Sequence, residues 1–272
     1  PLNGVEMPTV TSYRNGVPNW VDVTASDVDA AVAFYSGLFG WTAHDQGAQA
    51  GHYHLFTLDG RSVAGLGPRT NRDVPPAWST YLAVDDLDAT LAAAIDAGGS
   101  LAMPRIVVFT SGSMGVGIDP SGAPVSFWQA GDHIGCELVN ETNTLVWNEL
   151  ATRDPQRAIV FYSAVVGQQF TPLDESAPEG YRMISVGGRV VAGLLPMQGS
   201  DWGDLPSHWM PYFAVDDADA TAARAQELGG SIMVDPSDLP VGRFAVLGDT
   251  GGAVFSVMKM AGPADAIPDG IA

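Results

Sequence analysis

The sequence repeats itself over almost its whole length, and this duplication limits the folds that it can adopt. Five blocks recur in the same order, at a spacing of 127 residues between Trp20 and Trp147 and 131 residues between Asp85 and Asp216. The matched blocks are 20–27 with 147–154, 33–35 with 160–162, 60–66 with 188–194, 83–100 with 214–231, and 119–122 with 249–252. Solenoid and propeller repeats are much shorter than this, so each copy is the size of a domain.

Each copy predicts an α+β module in which a βαβββ unit occurs twice. Alternating and apolar segments predict strands at 18–25, 51–58, 62–67, 78–84, 100–108, 114–118 and 124–129 of the first copy. Ser26-Asp27 is expected to cap a helix that Gly37 and Gly40 end, and a second helix is predicted over 86–97. The predicted divisions are an extension (1–17), a first module (18–132), a linker (133–144), a second module (145–260) and a flexible tail (261–272).

Composition excludes several classes of partner. Hydrophobic residues make up 46% of the chain and charged residues 16%, as in a compact domain. Thirty-one acidic residues against 12 basic ones give a net charge of −19, which repels nucleic acid and anionic membranes. Cys136 is the single cysteine, so a disulfide within the chain is impossible, and we interpret this residue as structural. No stretch predicts a membrane span or signal peptide, and we expect a cytoplasmic monomer or homodimer that binds a small molecule.

The combined motifs resemble the vicinal oxygen chelate superfamily, which includes glyoxalases, bleomycin resistance proteins and extradiol dioxygenases. The residues that carry the resemblance are Ser26-Asp27, Ala33-Phe34-Tyr35, Leu38-Phe39-Gly40-Trp41, Val84-Asp85-Asp86-Leu87-Asp88-Ala89 and Asp119-Pro120-Ser121-Gly122. The two-module form is similar to an actinobacterial glyoxalase-like subgroup. The resemblance implies that each βαβββ sheet curls into a half-cup and that such cups enclose a pocket.

The resemblance also implies three ligand positions for a divalent metal in each module, and this chain departs from them. The corresponding residues are Trp20, Ser79 and Ser126 in the first module and Trp147, Met210 and Ser256 in the second. Because indole, hydroxyl and thioether groups do not replace imidazole and carboxylate ligands, we expect no metal and no cofactor. A displaced site remains an alternative, since His52 and His54 would share one face of a predicted strand.

Carboxylates remain for chemistry without a metal. Strand alternation places Asp22 beside Trp20 on the face that the family uses for its cavity, and Glu149 beside Trp147 in the second copy. A carboxylate desolvated beside indole has a raised pKa, which suits it to acid–base catalysis, so Asp22 and Glu149 are the candidate catalytic residues. The alternative is that each only caps a helix or binds a backbone amide. The candidate substrate-binding residues are Trp20, Trp147, Tyr81, Tyr212, Trp128, Met258, Ser126 and Ser256.

Three functions are consistent with these residues. The first is a metal-independent enzyme that acts on a small aromatic or polyketide-like metabolite by carboxylate acid–base catalysis. The second is a protein that sequesters an antibiotic-like molecule without turnover. The third is a glyoxalase-type lyase with a metal at a nonstandard site. The paired carboxylates favour the first.

Overall fold

The computed structural model describes residues 9–173, 178–200 and 202–262. The first module contains β1 (Pro18–Ala25), α1 (Val28–Phe39), β2 (Thr42–Asp45), β3 (His54–Leu58), β4 (Arg61–Pro68), β5 (Trp78–Ala83), α2 (Leu87–Asp96), β6 (Ser100–Val108), β7 (Gly112–Ile118) and β8 (Pro124–Ala130). The second contains β9 (Leu145–Thr152), α3 (Pro155–Val166), β10 (Gln169–Pro172), β11 (Arg182–Val186), β12 (Arg189–Pro196), β13 (His208–Ala214), α4 (Ala218–Glu227), β14 (Ser231–Leu239), β15 (Gly242–Gly248) and β16 (Val254–Met260).

Each module folds into one open, mixed sheet of eight strands, which confirms the predicted pair of βαβββ units. The strand order is β2-β3-β4-β1-β5-β8-β7-β6 in the first sheet and β10-β11-β12-β9-β13-β16-β15-β14 in the second. Antiparallel pairing of β1 with β5, and of β9 with β13, joins the two units of each module. The first strand of each unit therefore lies at the centre of its sheet.

The helices begin where the sequence predicts. Asp27 accepts a hydrogen bond from the Ala30 amide, 3.0 Å away, and Asp86 caps α2 in the same way. Gly40 ends α1 in the left-handed conformation, with φ of 73°. The prediction that Gly37 also ends this helix is wrong, because Gly37 lies inside α1, where a Cβ would come within 2.9 Å of the Leu228 side chain. Its role is close packing between the modules.

The strand prediction failed at one edge of the first sheet. Strand β2 is largely exposed and has no apolar alternation, so the pattern did not predict it. The strand predicted over 51–58 begins only at His54, because a 3₁₀ turn over Ala48–Ala50 and the left-handed Gly51 precede it.

The two modules share one core, which is rich in aromatic side chains. Phe39 of α1 packs against Phe213 of β13, with ring centroids 5.2 Å apart, and Trp78 of β5 packs against the same ring at 5.1 Å. Phe34 and Tyr35 both contact Phe255 of β16. The main cluster of buried side chains therefore includes residues of both sheets, and a smaller separate cluster lies around Tyr212 and Met258 in the second module.

Buried tyrosines link the modules through carboxylates. The Tyr35 hydroxyl donates to Asp249 of the other module at 2.9 Å and accepts from the Trp78 indole at 3.0 Å. Tyr162 lies against Asp119 in the corresponding position of the second module, and burial together with these carboxylates raises the pKa of both phenols. The same Asp249 side chain holds its own turn by accepting from the Gly251 and Ala253 amides, both at 2.8 Å.

The contacts between the modules determine which face of each sheet points away from the other module. Thr80 of β5 donates to Asn148 of β9 at 2.9 Å, so both side chains point towards the other module. Their strand neighbours Tyr81 and Glu149 point to the opposite faces, because successive side chains alternate across a strand. The two modules therefore present separate sites on outer faces.

The linker region is irregular and closely bound to the first module, and His133 to Asn140 contain no helix or strand. Cys136 is fully buried, with its thiol against the Val63 carbonyl. Of the extension and tail predicted from the sequence, residues 1–8 and 263–272 lie outside the described ranges. Within those ranges, the helices are too short or too polar to cross a bilayer.

The substitution Tyr35→Phe tests the link between the modules. It removes one hydroxyl, so Oδ2 of Asp249 loses its phenol donor and the Trp78 indole N–H loses its acceptor, while the backbone amides still bond Oδ1 of Asp249. The free energy of unfolding should therefore fall by about 1–3 kcal/mol. Urea unfolding followed by tryptophan fluorescence measures this change. The exposed variant Asp132→Asn is the control, and equal stabilities of Tyr35→Phe and the wild type would contradict the assigned role.

Candidate functional site

The outer face of the first sheet carries a carboxyl held by tyrosines. One oxygen of Asp22 accepts hydrogen bonds from Tyr81 at 2.8 Å and from Tyr53 at 3.2 Å, and Ser79 also bonds the carboxyl. The Trp20 indole donates to the Tyr53 hydroxyl at 3.1 Å. Asp22 retains 8% of its surface, so the carboxyl is almost entirely removed from water but not sealed.

The second sheet repeats this arrangement with a longer carboxyl. The two oxygens of Glu149 accept separately, one from Tyr181 and one from Tyr212, each at 2.9 Å. Trp147 bonds Tyr181, as Trp20 bonds Tyr53. Glu149 also retains 8% of its surface. We call Asp22 with Tyr53, Tyr81, Ser79 and Trp20 the first cup, and Glu149 with Tyr181, Tyr212 and Trp147 the second cup.

Glycines on the neighbouring strand make room for the tyrosines. A Cβ on Gly65 of β4 would lie 1.8 Å from the Tyr53 hydroxyl, and one on Gly193 of β12 would lie 1.9 Å from the Tyr181 hydroxyl. Gly65 and Gly193 are the register partners of Asp22 and Glu149. Any side chain at either glycine would therefore displace the tyrosine from the carboxyl.

Burial dominates the electrostatics of both cups. Desolvation raises the pKa of Asp22 to about 6, although hydrogen bonds from Tyr81, Tyr53 and Ser79 act in the opposite direction. Desolvation likewise raises the pKa of Glu149, against the hydrogen bonds of Tyr181 and Tyr212. The tyrosine pKa values lie well above 10, so these phenols act as neutral donors. In the first cup, Asp22 is thus the group that changes charge near pH 6, and in the second cup burial shifts the pKa of Glu149 upward in the same way.

The predicted substrate-binding residues of β8 and β16 lie near the tyrosines of the cups. Ser126 of β8 bonds Tyr81, and Ser256 of β16 is the register partner of Tyr212. Trp128 and Met258 lie on β8 and β16, two residues further along these strands. Trp20 is linked to Asp22 by hydrogen bonds through Tyr53, whose hydroxyl accepts from the indole and donates to the carboxyl. The alternative role of helix cap is wrong, since both carboxyls accept from side-chain hydroxyls.

Histidines 52 and 54 do not form a ligand pair. His52 lies in a turn, with φ of 58°, and its ring bonds exposed Asp45 at 2.9 Å, while the His54 ring faces the His52 carbonyl. Within the described ranges, no three side chains of the His, Cys, Asp or Glu type converge as metal ligands would. The residues at the family positions, such as Ser79 and Met210, do not fit a divalent cation either.

A surface groove of about 410 Å³ lies elsewhere, between the end of α2 and the start of α3. Its lining residues are Ala97, Gly98, Pro120, Gln156, Arg157 and Val160. The charged member, Arg157, is largely exposed and lies 3.7 Å from Asp154. The groove has no buried group that titrates, so the cups are the better candidates for chemistry.

Each of the two modules matches a known family. Residues 17–127 match the Glyoxalase/Bleomycin resistance protein/Dioxygenase superfamily, and residues 147–258 match the Glyoxalase-like domain. The protein named "Putative glyoxylase CFP32" of Mycobacterium tuberculosis (strain CDC 1551 / Oshkosh) is 46% identical over 263 residues, which cover 94% of this chain and 99% of that protein. The chain belongs to this superfamily.

This glyoxalase-like chain is also similar to a protein named for anthracycline biosynthesis and, in its fold, to a solved glyoxalase structure. The anthracycline biosynthesis protein DnrV of Streptomyces peucetius is 37% identical over 273 residues, covering 92% of this chain and 96% of its own. The Mn(II)-bound glyoxalase from Novosphingobium aromaticivorans aligns with a TM-score of 0.64 at 19% identity, over 90% of this chain and 82% of that one. This confirms the predicted superfamily and its fold.

Sequence reasoning missed Tyr53 and Tyr181, although the repeat contained the signal. These tyrosines are 128 residues apart, the same spacing that relates Gly60 to Gly188 in the next matched block. Extending that block towards the amino terminus would have paired them. The need for Gly65 and Gly193 follows only from the three-dimensional approach of each tyrosine.

The substitution Gly65→Ala should displace Tyr53 from Asp22. Because the new Cβ overlaps the Tyr53 hydroxyl, a hydrogen bond that lowers the pKa of Asp22 is lost, and this pKa should rise above about 6. NMR titration of the Asp22 carboxyl carbon measures the change. Gly67→Ala is the matched control, because its Cβ would lie 3.4 Å from the same ring, an ordinary contact. Identical titrations in all three proteins would contradict the assigned contact.

The raised pKa of Asp22 also predicts how stability depends on pH. Between the ordinary value of 3.8 and the folded value of about 6, the folded state keeps a proton that the unfolded state loses, so stability falls as pH rises. The full loss is about 3 kcal/mol, at about 1.4 kcal/mol per pH unit. Asp22→Asn should remove this loss and be the more stable protein above pH 6. Urea unfolding of the wild type and of Asp22→Asn from pH 4 to pH 7 measures these stabilities. The expectation would be contradicted if the free energy of unfolding depended on pH in the same way in both proteins.

Proposed function

We propose that this chain is a metal-independent enzyme that acts on a small aromatic or polyketide-like metabolite, with Asp22 or Glu149 as the general acid or base. The observation that carries the proposal is the buried carboxyl held by two phenols, repeated in both modules. A carboxyl with a pKa of about 6 exchanges its proton readily near neutral pH, which is what acid–base catalysis requires.

The donor set supports chemistry by the carboxyl alone. A divalent metal in this superfamily would need imidazole and carboxylate ligands, and this chain has Trp20, Ser79 and Ser126 in the first module. The Asp22 carboxylate is instead committed to phenolic donors. A proton taken from a carbon that a conjugated ketone makes acidic would pass to Asp22 or Glu149 and leave an enolate, and the phenols would hold that carboxyl in place.

The class of substrate is supported by the relatives and by the lining of the cups. Relatives of 37% and 36% identity are named for anthracycline biosynthesis, and anthracyclines are built on planar, fused rings. Trp128 and Met258 supply flat and polarizable surface of the kind that binds such rings. We place the reaction in the cytoplasm, in a monomer or homodimer.

Sequestration without turnover is the second candidate function. It is favoured by the way in which Glu149 uses both oxygens to accept from Tyr181 and Tyr212, since a carboxylate held in this way can be structural. In that case the cup would bind the same planar molecules but transfer no proton.

Exchange of the ring-methylene protons of anthrone in D₂O, followed by NMR, separates the two functions. For the enzyme, at least one of the variants Asp22→Asn and Glu149→Gln should lower the rate by about 10²-fold or more, because the base is lost, while the dissociation constant changes little. The exposed variant Asp132→Asn should keep the wild-type rate, as should protein treated with a chelator. A wild-type rate equal to the uncatalysed one would contradict catalysis and favour sequestration, whereas loss of activity with the chelator would contradict metal independence.

A further inference from the structure

The two cups are alike in their carboxyl and phenols but differ in what covers them. The ring of His133, from the linker, packs edge-on against Trp20 with centroids 4.5 Å apart, and against Trp128 at 5.7 Å. The Trp128 indole donates to the His133 carbonyl at 2.8 Å. Both indoles are thereby buried, at 4% and 6% exposure.

The linker is fixed in this position by its own hydrogen bonds. The side chain of Asn19 donates to the Ile134 carbonyl at 2.8 Å, and the Cys136 amide donates to the Asn19 carbonyl at 2.7 Å. Gly135 adopts φ of 117°, and a Cβ there would lie 2.1 Å from the Asn19 carbonyl oxygen. Since only glycine permits this approach, His133 is held over the first cup by a built feature of the chain.

The second cup has a more open and more apolar wall. Trp147, the counterpart of Trp20, is only partly buried. Around it lies a small cluster formed by Tyr212 and Met258, with Met210, Phe244 and Met260 packed against it and partly exposed. Met210 stands where the first module has Ser79, and Phe244 where it has Met114. A wall of thioethers and aromatic rings beside one carboxyl suits a flat, apolar molecule with a polar edge.

We propose that the second cup is the ligand-binding cup and that the first cup is filled by the chain's own His133. The ligand would be a planar, polycyclic aromatic ketone or phenol, stacked on Trp147 and the methionines with its oxygen towards Glu149. This assignment rests on the proposed function and adds to it which of the two sites works. Asp22 then has no ligand to act on in the wild type, and Glu149 is the carboxyl that meets the substrate.

Calorimetric titration of the full chain with 1,8-dihydroxyanthraquinone tests the assignment. The wild type should bind one molecule per chain. Phe244→Ala should weaken binding about tenfold or more, and its counterpart Met114→Ala, the matched control, should bind as the wild type does. Removing the cover with His133→Gly should open the first cup and raise the stoichiometry from one to two.

Methyl-labelled methionine NMR locates the probe without any substitution in the cups. Signals of Met210, Met258 and Met260 should shift on addition of the probe, while those of Met103 and Met114, on β6 and β7, should not. Shifts confined to Met103 and Met114, or two molecules bound to the wild type, would overturn the assignment and leave the proposed function standing. A stoichiometry that stays at one in His133→Gly would overturn the role of His133 as a cover. Absence of binding in every variant would overturn the proposed function itself.

Discussion

The hydroxyl of Tyr35 donates to Asp249 of the other module in a part of the core that water does not reach. A buried carboxylate is costly unless it is hydrogen-bonded, and Asp249 meets this need with one phenol and two backbone amides. The same side chain thus shapes a turn of its own module and holds a helix of the other. This contact joins the backs of the two sheets, so the faces that carry Asp22 and Glu149 lie on the outside.

Each cup also pairs a carboxyl with phenols, but in different surroundings. At the interface the phenol satisfies a carboxylate whose surroundings are closed, whereas Asp22 and Glu149 each keep 8% of their surface. Burial raises the pKa of both, and the phenols offset only part of that rise. If the phenols were absent, the carboxyls would be held as neutral acids over a wider pH range. Burial and the phenols together therefore determine how readily the proton leaves.

The sequence was most informative where a pattern repeats along the chain. Helix caps such as Asp27 and the central strands could be predicted because their signals are local in the sequence and occur in both copies. Strand β2 escaped prediction because an exposed edge strand needs no apolar alternation. The contact between Tyr53 and Asp22 escaped it for a different reason: 31 residues separate the two, and only the pairing of β1 with β4 brings Gly65, and with it the tyrosine, beside the carboxyl.

Duplication also explains why the two cups are not equal. Both copies inherited a carboxyl, its phenols and an adjoining glycine, since these lie within the repeated unit. The linker, in contrast, lies between the copies, where it follows β8 directly and can fold back over the first sheet. His133 reaches Trp20 because only a few residues separate it from the end of β8 at Ala130. The linker is thus close to the first cup because it directly follows the last strand of the first module. In the second cup, the Trp147 indole keeps access to solvent.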